Sequence, residues 1–181
     1  MAVNITYFVH GTTIDNEQDV SSGWSDAELS ELGVEQAIKL KQLTKDKKFD
    51  TVFCSDLKRA TNTAHMAFDG SAPVIPDKRL RECNYGTYNG KPSSMVEPMA
   101  EEKIIDRFPE GESCEDVKAR IADFMEFLKK NYDGKHVAIV AHKAPQLALD
   151  VLLKGKTWQQ AFAEDWRNTK SWQPGWEYIL K

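Results

Sequence analysis

The chain has 181 residues, a length that fits one domain and allows a sizeable buried core. Its 41% hydrophobic and 29% charged residues are ordinary for a globular protein, and a net charge of −4 removes the electrostatic case for general nucleic-acid binding while leaving room for a local basic pocket around a small anion. No apolar run reaches membrane-spanning length, and three widely spaced cysteines (Cys54, Cys83 and Cys114) form neither a C-x-x-C zinc pair nor a disulfide framework. Met1-Ala2-Val3-Asn4 leads directly into a strand, so no signal peptide is expected. A single domain over 1–181 in a reducing cytoplasm, with no membrane or nucleic-acid partner, is the expectation.

Residues 4–9 read as a buried parallel strand, a β-forming run that stops abruptly at His10-Gly11-Thr12-Thr13. Gly11 suits a sharp turn or a close backbone approach, and His10 stands at a strand's carboxyl end, where open α/β sheets place their ligands. Residues 12–26 are polar and predict a long surface loop. Helical period follows over 25–43, with Val34, Ala37, Leu40 and Leu43 at threes and Ile38 beside them. Residues 49–54 predict a second strand, and Ser55 is the expected N-cap of a helix carrying Leu57, Ala60, Ala64 and Phe68.

Val74-Ile75 is a short third strand, a glycine-punctuated stretch covers 79–91, and a short helix is expected within 92–102. Ser113 with Asp116 forms a capping-box pattern ahead of a helix to about Asn131, whose face carries Val117, Ile121, Phe124 and Leu128. Residues 136–141 are the strongest strand pattern in the chain, closed by His142-Lys143, and Pro145 suits the first turn of a helix over 146–153. Thr157 caps another short helix, and 172–180 read as a turn and a final strand. Strands alternating with helices predict an α/β domain with a mostly parallel central sheet flanked by helices in three layers.

Three strand ends carry similar chemistry. If the strands are parallel and adjacent, one crevice holds His10, then Arg59 from the helix after Ser55, then His142 and Lys143, with two helix amino termini aimed into it. Cations, imidazoles and helix starts together describe a phosphate site. Singly, each has a plainer reading: Arg59 could pair with Asp56, Lys143 could be solvated, and His142 could be an ordinary strand-end histidine. His65 and His136 have no such context and are expected to be structural.

At this point the order of motifs resembles that of the histidine phosphatase superfamily, the phosphoglycerate-mutase-like fold. Phe8-Val9-His10-Gly11-Thr12-Thr13 resembles its R-H-G-[ET]-T motif, and Leu29-Ser30-Glu31-Leu32-Gly33-Val34-Glu35-Gln36-Ala37 its L-[ST]-x-x-G-x-x-Q-A helix. Cys54-Ser55-Asp56-Leu57-Lys58-Arg59-Ala60 is similar to its S-S-x-L-x-R-A segment, and Arg79-Leu80-Arg81-Glu82 with Gly86 and Gly90 to its L-x-E-x-x-x-G-x-x-x-G segment. Pro109-Glu110-Gly111-Glu112-Ser113 resembles its P-x-G-E-S turn, and 137–142 the strand before its second histidine.

The resemblance implies a metal-independent phosphomonoesterase, without cofactor, acting on a small phosphorylated metabolite. His10 would be the nucleophile that forms a phosphohistidine, its tautomer fixed by a backbone carbonyl. Arg59 would clamp phosphoryl oxygens, His142 would donate to them, and Glu82 would serve as acid and then base. Gly11, Thr12, Asn16 and Lys143 would line the substrate site. Phosphoglycerate-mutase-type transfer, or a catalytically weak relative that binds a phosphorylated ligand or protein partner, are the alternatives.

Two positions depart from the pattern: Val9 stands where the family has arginine, and Lys143 where it usually has glycine. The expectation is that Lys143 takes over the missing arginine's electrostatic role as a point charge. Specificity is expected to lie in 15–24, 84–102 and the carboxy-terminal tail. There Trp158, Trp166, Trp172 and Trp176 form either buried core, the commoner case, or a binding wall or homodimer contact.

Overall fold

A computed structural model describes residues 1–169 and 175–181. In chain order the elements are β1 (Val3–Val9), α1 (Ile14–Glu17), β2 (Val20–Ser21), α2 (Glu31–Thr44), β3 (Thr51–Cys54), α3 (Lys58–Phe68), β4 (Val74–Pro76), β5 (Lys91–Pro92), α4 (Ser93–Glu102), α5 (Cys114–Asn131), β6 (His136–Ala141), α6 (Lys143–Lys154), α7 (Trp158–Ala163) and β7 (Trp176–Leu180). Five strands form one sheet in the order β4-β3-β6-β1-β7, parallel except for β7, which runs antiparallel to β1. Among the described residues no helix is long and apolar enough to cross a membrane.

The sheet is covered on both faces, which is why its strands are near-continuous apolar runs rather than alternating ones. On one face Ile5, Tyr7, Val9, Phe53 and Ile139 pack against Ile121 and Phe124 of α5 and Leu147 of α6. On the other, Phe8, Val52 and Val140 pack against Leu40 of α2 and Phe68 of α3. The result is the three-layer α/β architecture that the alternation of elements predicts.

Several local expectations are corrected. Residues 12–26 are not a plain loop: α1 is held by a reciprocal capping box between Thr13 and Asn16, and β2 pairs with β5 in a small ribbon. Helix α2 starts only at Glu31, capped by Ser30, and buries Gly33, Ala37, Leu40 and Thr44. Ile38 and Leu43, expected on that face, are exposed. Thr44 takes the inner position because its hydroxyl donates to the Leu40 carbonyl at 2.8 Å, which satisfies the one polar group it buries. Ser55 is not the N-cap of α3. That place belongs to Leu57, and the Ser55 hydroxyl instead accepts from the Leu57 N–H at 3.3 Å. Helix α6 begins directly after His142, earlier than expected, so Pro145 sits within its first turn.

The capping boxes at Ser113 and Thr157 form with both reciprocal bonds. Of the tail tryptophans, Trp158 is buried, and Trp166 and Trp176 are half-buried with ring centroids 5.9 Å apart. Trp172 lies outside the described residues.

Candidate active site

The order β3-β6-β1 places the three chemistry-bearing strands side by side and parallel, and the registers Val9↔Ala141 and Cys54↔Val140 bring their carboxyl ends level. His10 and His142 therefore leave neighbouring strands together, and their rings lie 5.0 Å apart. Nδ1 of His10 is 2.7 Å from the Gly11 carbonyl oxygen, so it carries the proton and donates, leaving Nε2 with its lone pair. Burial, reinforced by the Arg59 charge, lowers the His10 pKa to about 3, so the ring is neutral at physiological pH.

That geometry depends on Gly11. A β-carbon there would come within 2.4 Å of the Gly33 carbonyl oxygen, and one on Gly33 within 1.9 Å of the Thr12 carbonyl oxygen. The loop after β1 and the first turn of α2 thus touch backbone to backbone. The Gly11 N–H donates to the Thr63 hydroxyl at 3.0 Å, so Gly11 shapes the loop and holds His10 rather than offering its amide to a ligand. Thr12 gives both its N–H and its hydroxyl to the Gln36 side-chain oxygen, at 2.7 and 3.0 Å. The Asn16 side-chain oxygen accepts from the Thr13 N–H, leaving its NH2 end to the cleft.

Arg59 is buried, and its guanidinium donates to the backbone carbonyls of Ser25 at 2.9 Å and Gly23 at 2.6 Å. The plainer reading, an ion pair with Asp56, is excluded because Asp56 is engaged bidentately by Arg81. His142 is fully buried beside His10, and neither ring nitrogen has a hydrogen-bond partner among the described residues. Burial and the neighbouring Arg59 charge hold it neutral. Its backbone is clamped by one side chain: the Tyr7 hydroxyl donates to the His142 carbonyl at 2.6 Å and accepts from the His142 N–H at 3.0 Å.

Glu82 approaches from the loop after β4 and meets the amino terminus of α6. Its Oε1 accepts from the Cys83 and Ala144 N–H groups at 2.8 and 3.1 Å, and its Oε2 from the Lys143 N–H at 3.2 Å. The loop is fixed from behind. Arg120 donates to the carbonyls of Arg79 and Glu82 while paired with Glu112, and Glu112 accepts from the Asn84 N–H at 2.9 Å. This gives the Pro109–Ser113 turn its purpose: it anchors the strip of chain that carries Glu82.

Lys143 lines the cleft, but its ammonium is not free. It donates to Oε2 of Glu97 at 2.7 Å, and Arg167 grips the same carboxylate with two bonds, at 2.7 and 3.0 Å. Arg167 also pairs with Asp165. The expected stand-in for the missing arginine is therefore one member of a four-residue charge cluster. His65 and His136 are structural, as expected: one pairs with Asp69 on the surface, and the other bonds the Thr6 hydroxyl at 2.8 Å.

The cleft has two chambers that share His10, Asn16, Glu82, Lys143 and Arg167. An inner one of about 70 Å³ reaches Arg59, Ser22 and Glu97. An outer one of about 390 Å³ is completed by Val9, Thr12, Leu32, Gln36 and Trp166. Sequence reasoning missed Tyr7, Gln36, Glu97 and Arg167 as site residues, whereas Trp166 is one of the tail tryptophans for which it left core or binding wall open. Glu97 and Arg167 do come from the 84–102 and tail segments expected to set specificity, but nothing local marks them. No group of three or more side chains suited to a metal ion occurs among the described residues.

Comparison with known proteins identifies the family. A model of the Histidine phosphatase superfamily (branch 1) matches residues 7–174. Fructose-2,6-bisphosphatase TIGAR of Xenopus tropicalis is 36% identical over 135 residues, 68% of this chain and 49% of that protein. A 2,3-bisphosphoglycerate-dependent phosphoglycerate mutase of Streptococcus pneumoniae is 35% identical over 109 residues, 56% of this chain and 47% of that one. The chain spans about half the length of these curated relatives. Among solved structures, a mycobacterial glucosyl-3-phosphoglycerate phosphatase in complex with VO3 superposes with a TM-score of 0.78 at 27% identity, covering 88% of this chain and 86% of the other. Phosphoglycerate mutase from Bacillus anthracis gives 0.74 at 25%, covering 85% and 81%. With its paired strand-end histidines, its buried arginine and a family match over nearly its whole length, the chain belongs to the histidine phosphatase superfamily.

Proposed function

We propose that the chain is a metal-independent phosphomonoesterase that works through a phosphohistidine at His10 on a small phosphorylated substrate. The observation that carries this reading is the His10 ring: neutral, tautomer fixed by the Gly11 carbonyl, and facing a cleft that also holds Arg59 and Glu82. Nε2 attacks phosphorus and the ester P–O bond breaks, with the leaving oxygen taking a proton from Glu82. Glu82 Oε2, with a single 3.2 Å bond, is the oxygen suited to carry that proton. Water then gives a proton to Glu82 and attacks phosphorus, the P–N bond breaks, and phosphate leaves. Arg59 supplies positive charge to the phosphoryl oxygens, and the unpartnered nitrogens of His142 supply a donor beside them.

Incubation with a phosphate ester followed by a rapid quench should yield acid-labile phosphate on the protein, absent in His10→Ala, which should not turn over. A fully active His10→Ala protein would end the reading. Val9 favours a second one, a weak relative that binds phosphate esters without hydrolysing them, because it withdraws a guanidinium from the site. Calorimetric binding of an ester with no turnover would favour that alternative. The family's mutases are distinguished by product, since transfer to a second hydroxyl leaves no free phosphate.

A further inference from the structure

The cleft narrows the kind of alcohol its ester carries, an inference that rests on the phosphatase reading. The inner chamber is polar and contains the Arg59 guanidinium, so it suits the phosphoryl group, and the outer chamber then receives the leaving group. Its volume of about 390 Å³ lies within the range of small-molecule sites, and its walls include Val9, Leu32 and Trp166. Leu32 is 48% exposed, a large apolar side chain left on the rim rather than packed inside.

The cations that reach this chamber are already matched. Lys143 is bonded to Glu97, and Arg167 to Glu97 and Asp165, so two positive side chains meet two carboxylates. A second anionic group on the substrate would have to displace a carboxylate tethered to the fold, and Val9 offers it nothing. Of the other polar side chains on this wall, His10, Thr12 and Glu82 add no cation, and Gln36 and Asn16 are neutral donors: their side-chain oxygens are occupied by Thr12 and Thr13, so each presents its NH2 end.

We infer that the outer chamber is a leaving-group subsite for an uncharged alcohol with a flat apolar face, so that the substrate is a phosphate monoester of that class rather than a bisphosphate or a phosphorylated acid. Trp166 supplies the aromatic surface, Leu32 and Val9 the apolar wall, and Gln36 and Asn16 donors to a hydroxyl or carbonyl on the alcohol. Val9 is then a specificity residue as well as a missing phosphate clamp.

The test compares benzyl phosphate with 3-phosphoglycerate and glycerol 3-phosphate, alcohols whose reacting oxygens are all alkyl. Benzyl phosphate should have the highest kcat/KM, at least tenfold above 3-phosphoglycerate. Trp166→Ala should raise KM for benzyl phosphate at least fivefold more than it raises KM for glycerol 3-phosphate, whose alcohol has no flat face to stack. Val9→Arg should invert the preference toward 3-phosphoglycerate. A wild-type preference for 3-phosphoglycerate, or a Trp166→Ala effect equal on all esters, overturns the inference while the phosphatase reading stands. If no ester turns over, that reading fails separately, and calorimetry with benzylphosphonate against 3-phosphonopropionate still decides the subsite: tighter benzylphosphonate supports it and tighter 3-phosphonopropionate overturns it.

Discussion

Tyr7→Phe isolates the clamp on His142. The ring of Tyr7 is fully buried, so the phenyl group of the variant fills the same space and only the hydroxyl is lost. Two bonds go with it, one to the His142 carbonyl at 2.6 Å and one from the His142 N–H at 3.0 Å. The carbonyl keeps a partner, because the Gln146 N–H donates to it at 3.3 Å in the first turn of α6. The N–H keeps none. An orphaned buried donor costs about 1–3 kcal/mol and a lost hydrogen bond about 1 kcal/mol, so a destabilisation of roughly 2–3 kcal/mol is expected. For a chain of this size that is a fall in Tm of roughly 5–10 °C.

Stability alone would not show that the clamp serves the site, so Tyr178→Phe provides the control. That hydroxyl is also buried, donating to Asp150 at 2.7 Å and accepting from Gln146 at 2.9 Å, and it touches neither histidine. Both variants should melt earlier by calorimetry. Only Tyr7→Phe should also lose kcat on a phosphate ester, by roughly tenfold with KM little changed, because a displaced His142 weakens charge stabilisation in the transition state rather than ground-state binding. Equal kcat in the two variants, or a Tm shift below about 2 °C for Tyr7→Phe, would refute the clamp.

Two further predictions concern charge. His10 is depressed from 6.5 to about 3 and His142 is also lowered, so between those values the unfolded chain binds protons that the native one does not. Stability is therefore greatest above the unfolded value and is lost as pH falls below about 6.5, with His10 alone accounting for about 2 kcal/mol between pH 7 and pH 5. Urea unfolding at the two pH values should show that loss reduced in His10→Asn; an identical loss in both proteins would remove His10 as its source. Lys143→Ala leaves Glu97 with Arg167 as its cation and adds net negative charge to the inner chamber. KM for a phosphate ester should rise about tenfold, the equivalent of about 1.4 kcal/mol, and a KM unchanged within twofold would show that Lys143 is neutralised by Glu97 at no benefit to binding.

What the sequence disclosed follows from how local each signal is. The β6 run, the Ser113 capping box, the Thr157 cap and the abrupt end of β1 at His10 are each written within a few residues, and each forms at its expected place. The buried face of α2 was misread because spacing at threes favours Leu43, whereas the helix actually buries at steps that include Thr44. A hydroxyl that satisfies itself on the preceding turn looks polar in sequence and behaves as core in the fold. Glu97 and Arg167 were invisible for a different reason. Their importance comes from meeting each other and Lys143 across separations of 70 and 46 residues, which no window spans.

That meeting changes what Val9 means. Taken alone, the loss of an arginine beside the nucleophile implies a crippled phosphate site, and Lys143 looks like its replacement. In the structure Lys143 and Arg167 share Glu97, so neither is an unopposed charge waiting for a phosphate. Arg59 differs from both: its bonded partners are the carbonyls of Gly23 and Ser25, which orient the fork without cancelling its charge. Of the three cations that line the cleft, Arg59 is therefore the one held by carbonyls rather than carboxylates, and it lies in the inner chamber with His10. Val9 falls on the outer chamber, among Leu32 and Trp166. Its short apolar side chain puts no charge on that wall, while Arg59 keeps its place in the chamber with His10.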